Sequence, residues 1–256
     1  MDTRTNQKIK NKTPIIYRFS ILEIIKEKYL LMLVFLFFTA IAISFFFSNF
    51  SAVNQNISFA INLSAMFYFA LSFWVIVSIP IIFSKELQNN FFQVIISKPI
   101  SPYEYILGKY LSYMSVIFVY LLFAFIFSVL FQFHFVGSIY YYLGIFLEMA
   151  ITVMAAIFFA LNFKPINAII YTFMFYVVSH STYEIAKMAA MEQKSSLTII
   201  SKIFYYLFPS YDYYDFSGYL VYNEHNTVKL SFLILYTIFY VILLFTFCLT
   251  TFHKEK

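Results

Sequence analysis

The stretch SKELQNNFFQVIISKPISPYEYILGKY, residues 84–110, decides the fold because of what flanks it. From Tyr29 to Ser84 the chain has no charged residue and no histidine. From Tyr110 to Leu147 it has no charged residue, and His134 is the one histidine. A membrane-crossing helix needs about 20 predominantly apolar residues. The first run is therefore long enough for two crossings. A polar segment held between two such runs reads as a short helix on a membrane surface, joined at each end to a crossing helix.

Composition supports the same reading. The chain is 62% hydrophobic, 23% aromatic and 11% charged, whereas about 25% of the residues in a soluble domain carry charge. So little charge cannot cover a water-facing surface, and an integral, all-α membrane protein is expected. The 36 Phe and 23 Tyr suit lipid-facing helices with aromatic belts. The single cysteine, Cys248, lies inside an apolar run. It excludes an intrachain disulfide framework and a multi-cysteine metal cluster. The net charge of +5 sits mostly beside the apolar runs, not as a stripe on a soluble domain, which argues against nucleic acid as a partner.

Six spans are expected: Leu30–Phe47, Phe59–Phe83, Ile106–Phe131, Tyr140–Leu161, Ile166–Val178 and Leu230–Phe252. The polar residues Ser48, Asn49, Ser51, Asn54, Gln55, Asn56 and Ser58 supply the first turn. His134–Ser138 and Asn162–Pro165 supply two more. Basic residues orient the bundle. Arg4, Lys8, Lys10, Lys12, Arg18, Lys26 and Lys28 precede the first span, and Lys85, Lys98 and Lys109 lie in the central loop. Lys164 and the terminal Lys254 and Lys256 fall on the same side when six spans are drawn. That side is expected to be cytoplasmic, with both termini on it, in a multi-pass protein of a bacterial cytoplasmic membrane. The chain then reads as one transmembrane domain, 1–256. Its parts are an N-terminal segment (1–28), a cytoplasmic loop (84–105) and a partly helical external segment (179–228).

Within the central loop, Leu87, Phe91, Val94 and Ile95 share one face at helical spacing. Lys85, Glu86, Asn89, Asn90 and Gln93 fall mostly on the other. Pro99 disfavours helix at Lys98. A new helix is expected at once, with Ser101 as N-cap, Pro102 at its first position and Glu104 completing a capping box. It continues through Gly108 and Lys109 into the third span.

The run Lys85-Glu86, followed by Ser97-Lys-Pro-Ile-Ser-Pro-Tyr-Glu-Tyr-Ile-Leu-Gly-Lys-Tyr110, resembles the signature of the permease subunit of the second type of ATP-binding-cassette (ABC) exporter. The stretches Ser179-His-Ser-Thr182 and Tyr206-Leu-Phe-Pro-Ser-Tyr-Asp-Tyr-Tyr-Asp-Phe216 resemble the branch that contains the permease for nitrous-oxide-reductase maturation. Pro102 stands where the family often has Arg. The resemblance implies a homodimer in the lipid bilayer, rocked between inward- and outward-facing states by a separate ABC ATPase subunit that binds ATP and Mg. It implies that the ATPase contacts Glu23, Lys85, Glu86, Asn89, Asn90 and Gln93, with Lys85 and Glu86 facing that partner.

The chain's own chemistry fits a non-catalytic role. Its four glycines, Gly108, Gly137, Gly144 and Gly218, build no G-x-x-x-x-G-K-[ST] phosphate cradle, so no cofactor is expected in this chain itself. No H-E-x-x-H or G-x-S-x-G occurs. Candidate translocation-path residues are Asn62 and Ser72 in the second span, Glu148 in the fourth, and Tyr171 and Tyr176 in the fifth. Glu148 is the one acidic residue within a span, and such a group is costly unless it faces the bundle or water. It reads either as a substrate- or proton-linked carboxylate or as a residue bonded to a nearby tyrosine of Tyr140–Tyr142. Rival readings are a membrane redox or metal-binding subunit using His134, His180 and His225, and a membrane scaffold that transports nothing.

Overall fold

A computed structural model describes residues 13–26, 28–50, 55–88, 101–131, 134–191, 204–205, 207–222 and 229–254. Every regular element among them is helical: α1 (Thr13–Lys26), α2 (Tyr29–Ser48), α3 (Gln55–Gln88), α4 (Pro102–Leu130), α5 (Phe135–Asn162), α6 (Pro165–Met191), α7 (Ser217–Tyr222) and α8 (Leu230–Lys254). A 3-10 turn, Tyr211–Tyr214, precedes α7.

Among the described residues, five helices are long and apolar enough to cross a membrane: α2, α3, α4, α5 and α8. This is one fewer than the six spans expected. The expected fifth span, Ile166–Val178, lies in α6. That helix does not end near Ser179 but runs on to Met191, because nothing after Pro165 breaks it: no Gly or Pro occurs from Ile166 to Met191. Its second half carries His180, Glu184 and Lys187, which lowers its average hydropathy. Its first half exposes Ile166, Ile170, Phe173, Met174 and Val177 along one face.

α5 forms the centre of the bundle and packs against α3, α4, α6 and α8. Its buried Ala150, Ala155, Ala156 and Ala160 let neighbouring helices approach closely. α2 lies along α3, and α1 lies on α4. The outer face of α2 exposes Leu31, Phe35, Phe38, Phe45 and Phe46. Such a surface would aggregate in water, and it suits contact with lipid tails.

Local chemistry sets the helix ends. Lys28 joins α1 to α2 in the left-handed region, at φ 61°, a conformation that costs a non-glycine residue about 1–2 kcal/mol. Trp74 of α3 holds this elbow by donating its indole N–H to the Tyr29 carbonyl at 2.9 Å. Ser101 caps α4, accepting the Glu104 N–H, while the Glu104 carboxylate accepts the Ser101 N–H; both bonds are 3.2 Å. His134 caps α5, its Nδ1 accepting the Gly137 N–H at 3.1 Å. This cap starts the helix at Phe135, ahead of the expected Tyr140.

The segment before α8 enters the bundle. Tyr211, Tyr214 and Phe216 are buried, and the Tyr211 hydroxyl meets Thr152 Oγ1 at 2.9 Å. Thr152 lies about 25 Å along α5 from its start, taking about 1.5 Å per residue. Non-helical backbone at such depth is stable only where protein surrounds it. Here the Ser210 N–H is donated to the Tyr236 hydroxyl of α8 at 2.9 Å, and the Ser217 N–H to Asp215 Oδ1 at 2.9 Å. Gly144 makes room for the segment, since a Cβ there would sit 2.6 Å from the Tyr214 carbonyl oxygen.

Candidate functional site

Two buried polar clusters occupy opposite parts of the bundle. The first lies where α1, the end of α3 and the start of α4 meet. Lys85 and Glu86 belong to the last turn of α3. Asn89, Asn90, Gln93 and Pro99 lie outside the described residues. Glu86 does not face outward as the sequence reading has it: it is 5% exposed. One carboxylate oxygen contacts Lys109 Nζ, and the other accepts the Tyr105 hydroxyl at 2.7 Å. Lys109 also donates to Glu23 Oε2 of α1 at 2.8 Å. The inward turn has a physical cause. Tyr105 and Lys109 stand four residues apart on one face of α4, and together they offer the carboxylate a hydroxyl and a cation. One ammonium against two carboxylates leaves an excess negative charge. The Glu23 side chain, 21% exposed, gives that charge access to solvent.

Close packing reinforces this joint. A Cβ on Gly108 would lie 2.8 Å from Ile16 Cγ2 and 3.3 Å from the Thr13 carbonyl oxygen, so α1 rests directly on the α4 backbone. The Tyr17 hydroxyl meets Ser115 Oγ at 3.0 Å. Lys85 Nζ lies 5.6 Å over the Tyr29 ring.

The second cluster surrounds Glu148, which is 4% exposed. Its Oε1 accepts the Tyr68 hydroxyl at 2.6 Å, and His180 Nε2 lies 3.2 Å from the same oxygen. His180 Nε2 is also 2.7 Å from the Tyr68 hydroxyl oxygen. The Tyr176 hydroxyl reaches the Tyr68 oxygen at 2.5 Å and Ser72 Oγ at 3.0 Å. Thr152 Oγ1 links the cluster to Tyr211, whose ring stands 5.1 Å from the His180 ring. Glu148 is thus bonded to Tyr68 on another helix and not to Tyr140–Tyr142. Tyr141 instead donates to the Ser64 carbonyl, and Tyr142 bonds Ser128.

Of the path candidates, Ser72, Glu148 and Tyr176 come together. Tyr171 does not join them; it packs on Phe163, with ring centroids 4.5 Å apart. Asn62 lies apart too and donates to Ser58 Oγ at 3.4 Å. Tyr68 and His180 complete the site, although the sequence reading did not place them on the path. Their signal was present: Tyr68 and Ser72, Glu148 and Thr152, and Tyr176 and His180 are three polar pairs at i, i+4, each on one helix face.

His134 serves as a helix cap, and His225 lies outside the described residues. Among the described residues, no group of three or more His, Cys, Asp or Glu side chains is placed to hold a metal ion. No family model matches this chain, and no curated protein matches it. The geometry of the two clusters is therefore the ground for a functional reading.

Proposed function

We propose that this chain is the membrane-spanning subunit of an ABC exporter, working as a homodimer in a bacterial cytoplasmic membrane. A separate ATPase subunit binds ATP and Mg and supplies the work. In this reading the apolar first half of α6 makes a sixth crossing beside the five apolar helices, which leaves both ends of the chain on one side. Arg18, Lys26, Lys28, Lys85, Lys109 and Lys164 gather at that end, which supports a cytoplasmic assignment.

The observation that carries the reading is the Glu23–Lys109–Glu86 joint. It ties the elbow helix, the end of α3 and the start of α4 into one unit at the base of the 89–100 loop. A push on that loop reaches three helices together, as a coupling device requires. Glu86 acts here as an internal strut, and contact with the ATPase falls to the loop itself and to Lys85. The Glu148 cluster lies along the path between the helices that move.

The test is co-expression with a P-loop ATPase encoded beside this chain. The complex is expected to purify intact and to hydrolyse ATP faster than the ATPase alone. Glu86→Gln should keep the complex but lower that stimulation. Transport activity in a preparation free of any ATPase would refute the reading.

A further inference from the structure

The hydrogen-bond geometry around Tyr68 admits two complete proton arrangements. In the first, Tyr68 donates to Glu148 Oε1 at 2.6 Å. Its oxygen then accepts from Tyr176 at 2.5 Å and from a protonated His180 Nε2 at 2.7 Å. In the second, a protonated Glu148 donates to the Tyr68 oxygen, and Tyr68 donates to a bare His180 Nε2. In both, the Tyr68 hydroxyl donates one bond and its oxygen accepts the others. The arrangements differ only in where protons sit, because a hydroxyl both donates and accepts.

The two ends of the trio differ in access. The His180 side chain is 35% exposed and that of Glu148 is 5% exposed. All the hydrogen bonds of His180 among the described residues run through Nε2, so Nδ1 is the nitrogen left for an incoming proton. We propose that His180, Tyr68 and Glu148 form a proton-binding site, loaded at His180 Nδ1 and storing the proton on the buried Glu148 carboxylate.

The step balances. A proton bonds to Nδ1 of an imidazole already protonated at Nε2. The Nε2–H bond breaks as that proton passes to the Tyr68 oxygen, and the Tyr68 hydroxyl proton moves to Glu148 Oε1. The products are a neutral imidazole carrying Nδ1–H, an intact Tyr68 phenol and a carboxylic acid. One proton has been gained, and the buried charge is gone. Removing that charge matters at this depth, where an ionised carboxylate is costly.

Among the described residues, no lysine or arginine is seen acting on the trio. Tyr68 comes from α3, and Tyr176 and His180 from α6. Tyr141 comes from α5 itself, Tyr211 and Tyr214 from the 3-10 turn, and Asp215 from just after it. Asp212 acts on His180, and Glu184 on Asp212. α8 adds Tyr236 behind Tyr214. Glu104 and Lys109, the charged residues of α4, sit near the other end of that helix. This site is independent of whether an ATPase drives the chain.

The test is pH-difference infrared spectroscopy on the full chain in lipid nanodiscs. A carboxylic C=O band should grow as pH is lowered and vanish in Glu148→Gln. After a rapid pH drop, Tyr68→Phe should slow the rise of that band at least about a hundredfold, the low end of what a proton-transfer group contributes. If Tyr68→Phe does not fold, His180→Gln makes the same test, since its amide retains a donor but takes up no proton. No titrating band assignable to Glu148, or an unchanged rise in the folded variant, overturns the proposal.

Discussion

Lys109 and Glu86 meet inside the protein, on α4 and α3, although both belong to the polar stretch that joins two membrane-length helices. Removing the cation strands two carboxylates against buried surroundings. Lys109→Met is expected to destabilise the protein by about 3 kcal/mol, as for other broken buried pairs. Adding Glu86→Gln should recover part of the loss. Thermal unfolding of the single and double variants in detergent measures the coupling; purely additive effects would deny the joint its role.

Gly108 lets α1 lie on α4, because Ile16 and the Thr13 carbonyl occupy the space a side chain needs. Gly108→Val should therefore lift α1 and cost about 1–3 kcal/mol, the usual range for overpacking. Ile16→Ala in the same chain should restore much of it. The readout is protease cleavage within residues 13–26, which should rise in the single variant and fall back in the pair.

Gly144 faces the Tyr214 carbonyl as well as the Phe216 ring, and a backbone carbonyl cannot simply rotate away. Gly144→Val should unseat the segment that contains Ser210. A cysteine placed at the buried Ser210, in a Cys248→Ser background, should react slowly with a membrane-impermeant maleimide. Reaction should speed up when Gly144→Val is added. Equal rates would mean that the glycine does not position this segment.

Ser101 and Glu104 close a reciprocal cap at the start of α4. Ser101→Ala should cost about 1 kcal/mol and fray only the first turn. Hydrogen exchange should quicken at the amides of Glu104 and Tyr105 while those beyond Ser112 stay protected.

The crossing helices were legible because hydropathy is written along the chain and needs no partner. The α4 cap was legible for a related reason: its two bonds join residues three apart. The fifth span is drawn only to Val178 because polar residues follow; they end the apolar character of α6 and not the helix, which runs to Met191. Glu86 was expected to face a partner from helical spacing and the family resemblance; neither shows Tyr105 and Lys109, which come from the next helix. Tyr68 went unnoticed because its partners, Glu148 and His180, are 80 and 112 residues away. Only the repeated i, i+4 polar pairs on three helices hinted at their meeting.

The seating of Tyr211–Phe216 imposes an order on biogenesis. This stretch rests against Gly144 and Thr152 of α5 and is held by Tyr236 and Thr237 of α8, yet it leaves the ribosome before α8. It must wait, half-housed, until the last helix has entered the membrane, so a chain halted before Leu230 carries an unfinished keystone and is a natural target for quality control.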